Sequence, residues 1–136
     1  MKKSPLTLIP FKKLASSKAW KLTSELVRKK SKGICYTCGK FFPFEKLAAG
    51  HFIEKIGNAA IYFDLNGLRA QCYRCNRKLH GAKDIYVLKL LKEIGQEGIE
   101  RLRRKAGKSH IWIVAELNQI ESDRKKDLAD LENAKG

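Results

Sequence analysis

The chain has 136 residues, with 29 Lys+Arg against 14 Asp+Glu and a formal net charge of +15 at pH 7. That length suits one domain, or a small core with helical extensions. The positive surplus favours a polyanionic partner, nucleic acid first, through counterion release and electrostatic steering. No apolar run approaches the roughly 18 residues of a transmembrane helix, so no membrane partner is expected.

The opening Met1-Lys2-Lys3-Ser4-Pro5 has the basic start of a signal peptide, but Pro5, Pro10 and Lys12-Lys13 break its apolar stretch. A chain kept inside the cell keeps its cysteines reduced, which favours thiolate ligation of a metal over disulfides. Residues 1–33 form a basic N-terminal arm and helix, with ten Lys/Arg, Lys2 through Lys32, against the single acid Glu25. Ser16 or Ser17 caps a helix running to about Lys30. Ala19, Trp20, Leu26 and Val27 give it an apolar stripe, and Gly33 sits at the C-cap position. With so little counter-charge, Lys12, Lys13, Lys29 and Lys30 are expected to face phosphates.

Residues 34–82 read as a zinc-framed core. A first knuckle leads to a strand over Leu47 to Ile53, a Gly57-Asn58 turn, an extended piece at Ile61-Tyr62-Phe63, and a second knuckle opening a short helix. Phe41, Phe42 and Phe44 are expected to cover the metal frame. Residues 83–136 read as a C-terminal helical region. Asp84 caps a helix with Ile85, Leu88, Leu91 and Ile94 inward, and Gly95 stops it. A second helix over Glu97 to Lys105 turns Ile99 and Leu102 inward, with Arg101, Arg103 and Arg104 as a further DNA-facing group. After Ser109 a longer helix carries Ile113, Leu117, Ile120, Leu128 and Leu131. That stripe exceeds what a small core needs, so it packs back on the core or serves a homodimer.

Four cysteines stand as Cys35-Tyr36-Thr37-Cys38 and Cys72-Tyr73-Arg74-Cys75, with 33 residues between the pairs. This is the spacing of a closed four-thiolate zinc site, structural because it leaves no open position. In so small a core, folding and Zn²⁺ binding are expected to be one event. His51 is the only histidine between the pairs, and a neutral imidazole takes a proton from water near pH 7. It is the candidate catalytic base, with Asn66 as the residue that orients its ring. Asn76 and His80, at i and i+4 of the helix after the second knuckle, share a face and are candidate ligands of a catalytic Mg²⁺ or Mn²⁺. Arg74, inside the second pair, joins the DNA-facing set. Together these residues suggest an HNH, or ββα-metal, arrangement for hydrolysing phosphodiesters.

Cys-x-x-Cys-Gly, then Ala49-Gly50-His51-Phe52, Phe63-Asp64-x-Asn66, Gln71-Cys72-x-x-Cys75-Asn76 and Gly81 follow in order. With Tyr86 and Ile94-Gly95-Gln96-Glu97, this set resembles the NinG/Rap family of lambdoid phage recombination nucleases, over about residues 20 to 132. The resemblance implies an α+β fold: a zinc-stabilised ββα-metal (HNH, His-Me finger) core with flanking N- and C-terminal helices. It also implies cleavage of branched DNA, such as Holliday junctions and D-loops, by a phage- or prophage-encoded protein in the cytoplasm of a bacterial host. One position departs from the wider HNH pattern. Many such nucleases place an acidic residue or histidine before the base histidine; here, as in NinG-like sequences, that residue is Gly50. His80, Asp64 and Glu54 are the candidates for the missing ligand.

Two other readings compete. The same zinc frame and basic surface suit a non-catalytic zinc-ribbon DNA-binding module, and Gly50 favours it. A sequence-reading HNH nuclease of the restriction or homing type would need a specificity domain, which is not visible in 136 residues.

Overall fold

The computed structural model describes residues 3–134, so Lys2 of the basic arm lies outside the described residues. A short helix α1 (Phe11–Leu14) leads into α2 (Lys18–Lys30). Ser17 caps α2, its Oγ accepting the Trp20 N–H at 3.1 Å. The chain leaves α2 through Ser31 rather than at Gly33, which follows Lys32 as the second of two residues at positive φ.

The sheet has two antiparallel strands, β1 (Leu47–His51) and β2 (Leu68–Cys72), in a register that runs from Leu47↔Cys72 to His51↔Leu68. β1 stops two residues short of Ile53. The second strand is not Ile61-Tyr62-Phe63. That segment passes through a 3₁₀ turn, Ala59–Ile61, and buries all three side chains. Its apolar run fits a strand, but it has no partner there. Leu68-Arg69-Ala70-Gln71-Cys72 alternates at period two and pairs with β1 instead. One apolar cluster joins the sheet to the knuckles, with Leu47, Ala49, Leu68 and Ala70 around Cys35, Cys72 and Cys75. Phe42 packs against it, but Phe41 is 70 % and Phe44 40 % exposed, so these two do not cover the metal frame. Phe44 instead lies under the Arg28 guanidinium, 4.1 Å from the ring centre.

Helix α3 (Lys83–Ala106) begins at Ala82, in left-handed backbone with no side-chain cap; Asp84 falls in its first turn. Gly95, at φ 70° and ψ 173°, breaks it in the middle, a conformation that a residue with a Cβ avoids. Of the expected stripe only Ile94 packs inward. Tyr86 and Leu90 are buried, while Ile85, Leu88 and Leu91 are exposed. The Tyr86 hydroxyl donates to the Gly50 carbonyl at 2.8 Å, which turns that face onto the sheet. Past the break, Ile99 and Leu102 turn into this second cluster as their spacing predicts, and Ala106 joins them.

Helix α4 (Val114–Ala134) lies along α2. It buries Leu117 and sets Ile120 against Leu14, Ala19, Tyr62 and Phe63. Arg124 fastens it, donating to Thr23 Oγ1 at 3.2 Å and to the Phe63 carbonyl at 3.1 Å. The protein is thus α+β, with helices on a small antiparallel sheet and four cysteines at its end. No described helix is long and apolar enough to cross a membrane.

Candidate active site

The two knuckles bring Cys35, Cys38, Cys72 and Cys75 together, with all four sulfurs within 4.8 Å of one another. Zn–S bonds of about 2.3 Å in a tetrahedron place sulfurs roughly 3.8 Å apart. Cys38 Sγ and Cys72 Sγ are 3.9 Å apart, and none of the four is in a disulfide. The Cys72 N–H donates to Cys35 Sγ at 3.3 Å and the Cys75 N–H to Cys72 Sγ at 3.5 Å, the contacts that suit thiolates. Burial pushes the Cys35 thiol up, but N–H groups of Cys72, Cys38 and Thr37 outweigh it and bring it to about 6. Burial and its sulfur neighbours push Cys75 up to about 12. Four thiolates coexist here only with a cation among them, and the cluster could hold a zinc ion.

Beside this frame, β1, the loop after it and the segment after the second knuckle enclose a cleft of about 500 Å³. His51, Glu54, Asn76 and His80 line it, together with Trp20, Lys55, Arg77 and Lys83. His51 ends β1. Its ring stacks on Trp20, with centroids 5.2 Å apart and planes at 13°, and meets Tyr62 edge-on. Nε2 lies 2.9 Å from the Tyr62 carbonyl. A carbonyl only accepts, so Nε2 carries the proton and Nδ1 keeps its lone pair. Burial, and then the charges of Lys55 and Lys83, outweigh that hydrogen bond and push the imidazole down to about 4.

Between an unfolded value near 6.5 and about 4, the open chain takes up a proton that the folded chain refuses. Stability from this group is present above pH 6.5 and is lost as the pH falls toward 4. The ¹³Cε1 resonance of His51 is accordingly expected to remain at its neutral position at about pH 5.5, where an ordinary histidine is mostly charged. A titration midpoint near 6.5 would contradict this environment.

The other expected site residues divide. Asn66 does not orient the imidazole. It sits in the 3₁₀ turn Leu65–Gly67, its N–H donating to Asp64 Oδ1, and lines a different depression beside Tyr36 and Arg69. The backbone carbonyl of Tyr62 has the place expected for it. Asn76 and His80 do line one cleft, but not as i and i+4 of an α-helix. Residues Arg74–Lys78 form a single π-helical turn, and His80 leaves it at φ 50°. Of the candidates for the ligand missing at Gly50, Asp64 is bound by Lys105 at 2.9 Å and lies outside the cleft lining. Glu54 stands at the cleft, 3.9 Å from Lys83 Nζ.

Among the candidate DNA contacts, Lys12, Lys13, Lys29, Lys30, Arg74, Arg101, Arg103 and Arg104 are all exposed, Lys29 in an ion pair with Glu25 at 2.8 Å. Sequence reasoning missed the cations of the cleft itself. Lys83 donates to the His51 and Phe52 carbonyls, and burial lowers it. Burial, then the charge of Arg77, lowers Lys55. A lone Lys, in a loop like Lys55 or at a helix start like Lys83, carries no signal that it will stand beside an imidazole.

Residues 6–134 match the family model described as Bacteriophage Lambda NinG protein. The chain belongs to the NinG family. Neither the curated proteins nor the solved structures give a match. The NinG match takes in both cysteine pairs, the whole cleft and α4, so the frame and the cleft are parts of one family unit.

Proposed function

We propose that this NinG-family chain is a metal-dependent endonuclease of the HNH, or ββα-metal, kind that cuts branched DNA recombination intermediates. One observation carries the reading: the Tyr62 carbonyl accepts the Nε2–H hydrogen bond of His51, so Nδ1 is the free base in a cleft lined by cations. In this reading Nδ1 takes a proton from water as the water attacks the phosphorus. Lys55, Arg77 and Lys83 supply positive charge where the phosphate would lie. Asn76, His80 and Glu54 offer oxygen and nitrogen donors for a divalent cation. Mg²⁺ or Mn²⁺ there would stabilise charge on the leaving oxygen. Strand, strand and helical turn follow in the order such a core requires, and the cysteine frame fixes both ends of the unit. The branched substrate and the phage setting rest on the family.

Asn76→Ala is expected to raise the Mg²⁺ or Mn²⁺ concentration needed for cleavage. An unchanged metal titration for both Asn76→Ala and His80→Ala would remove these residues from the site. Gly50 favours a second reading, in which the same frame binds DNA without cutting it. Junctions left intact in every divalent metal, but bound tightly, would establish that alternative.

A branch brings several phosphate backbones together. Apart from the cleft cations and Arg74, the candidate DNA contacts form two groups, those of the N-terminal segment and Arg101, Arg103 and Arg104 on α3; Lys105 is held by Asp64. Each lost phosphate contact is expected to reduce the log–log salt slope by about one unit. Neutralising the three arginines should weaken junction binding more than duplex binding. Equal losses on both substrates would make the cluster a source of general DNA attraction only.

A further inference from the structure

Gln71 is fully buried, yet its Oε1 has no hydrogen-bond partner. Chemistry fixes the orientation of this amide. Nε2 donates to the Gly81 carbonyl at 2.8 Å and to Thr37 Oγ1 at 3.1 Å, and a carbonyl cannot face an oxygen there. Thr37 in turn stands 3.7 Å from Cys35 Sγ, so the cysteine frame holds the amide in place. Oε1 is left facing Gly50. In the strand register Ala48 opposes Gln71 and Gly50 opposes Arg69, so Gln71 and Gly50 are diagonal neighbours on one sheet face.

A Cβ on Gly50 would fall 1.9 Å from Gln71 Oε1 and 3.2 Å from Asn76 Oδ1. The φ of Gly50 is outside the left-handed region, so the backbone does not demand glycine at this position. Gln71 does. Two amide oxygens, one of them buried and unpaired, thus converge where a side chain at residue 50 would begin, one residue from His51; Asn76 lines the cleft, and Gln71 lies behind it. Buried acceptors without partners are rare in folded proteins, and a hard cation is a partner for such an oxygen.

We propose that Gln71 Oε1 and Asn76 Oδ1 together ligate a hard divalent cation, Mg²⁺ or Mn²⁺, and that residue 50 is glycine to admit Gln71. The side chain missing before His51 is thereby replaced from the neighbouring strand. The purpose of this site rests on the nuclease reading above, but its existence is measured separately. Both ligands are neutral, so the cation is held weakly until DNA phosphates add their charge.

The test uses the zinc-loaded His51→Ala protein, labelled with ¹³C and bound to a four-way junction. Its probe is Mg²⁺, read at the side-chain carbonyl resonances Gln71 Cδ and Asn76 Cγ. Both are expected to shift with one common, saturable midpoint, at a Mg²⁺ concentration at least about tenfold lower with junction than without it. Gln71→Met is expected to weaken Mn²⁺ binding, counted as free ion by electron paramagnetic resonance, on the order of tenfold or more. Gly50→Asp with Gln71→Ala should restore it. If Gln71→Met loses its zinc, the carbonyl titration with Gln71 intact decides alone. A Gln71 Cδ resonance that stays still while Mg²⁺ saturates would overturn the proposal, and would mean that Gln71 only pairs with a turned Asn76 amide. Carbonyl shifts in a protein whose wild type cuts no DNA would leave the cation site standing and remove the nuclease.

Discussion

Replacing His51 by alanine is expected to slow junction cleavage by on the order of 10² to 10⁴, about 3 to 5 kcal/mol of barrier, while junction binding survives. The expectation comes from geometry. The Nε2–H bond to Tyr62 at 2.9 Å and the stack on Trp20 hold the ring in one orientation and one tautomer. The buried environment that pushes the imidazole down to about 4 keeps it neutral at the pH of reaction. The acidic limb from this base should therefore lie well below pH 6. Binding is expected to survive because the exposed cations of α1, α2 and α3 are untouched. Trp20→Ala should act in the same direction but less, since the Tyr62 carbonyl still fixes the tautomer. Single-turnover rates on a labelled junction measure both. A wild-type rate for His51→Ala would remove the histidine from the chemistry.

Cys72→Ser should have the larger structural effect. Cys72 closes β2, pairs in register with Leu47, and its sulfur accepts the Cys75 N–H at 3.5 Å. Binding of zinc to four thiolates is worth on the order of 10 kcal/mol, comparable to the whole net stability of a small domain. We expect the variant to lose both its zinc and its cooperative unfolding transition. Elemental analysis alongside near-ultraviolet circular dichroism checks this. A folded Cys72→Ser protein, or a folded wild type with no zinc, would contradict the four-thiolate assignment.

What the sequence disclosed, and what it hid, follows from the range of each interaction. The cysteine pairs were legible because ligand spacing is a local pattern with a global consequence. The start of α2 was legible because Ser17 acts three residues away, on the Trp20 N–H. The second strand was hidden by its own knuckle. Leu68-Arg69-Ala70-Gln71-Cys72 alternates cleanly, but its last residue reads first as a metal ligand, while the apolar Ile61-Tyr62-Phe63 offers a stronger run. The face of α3 was legible at Ile94 but not at Ile85, Leu88 and Leu91, because a tyrosine hydroxyl bonded to Gly50 outranks a stripe of aliphatic residues. Asn66 was expected beside His51 on residue type alone, whereas the partner is a backbone carbonyl, which any residue at position 62 would supply. Gln71 stood in plain view next to Cys72. Its role depends on a glycine on the opposite strand, a relation that only the register makes visible.

If this cleft cuts branched DNA with a divalent cation, as proposed, a single incubation reveals it. Zinc-loaded protein is incubated with an end-labelled four-way junction and with the matching linear duplex, in Mg²⁺, in Mn²⁺, and in a chelator added after zinc loading. The expected result is cleavage of the junction in Mg²⁺ or Mn²⁺, much weaker cleavage of the duplex, and none in chelator. Intact junctions under every divalent condition, from protein that binds them and retains its zinc, would contradict the account.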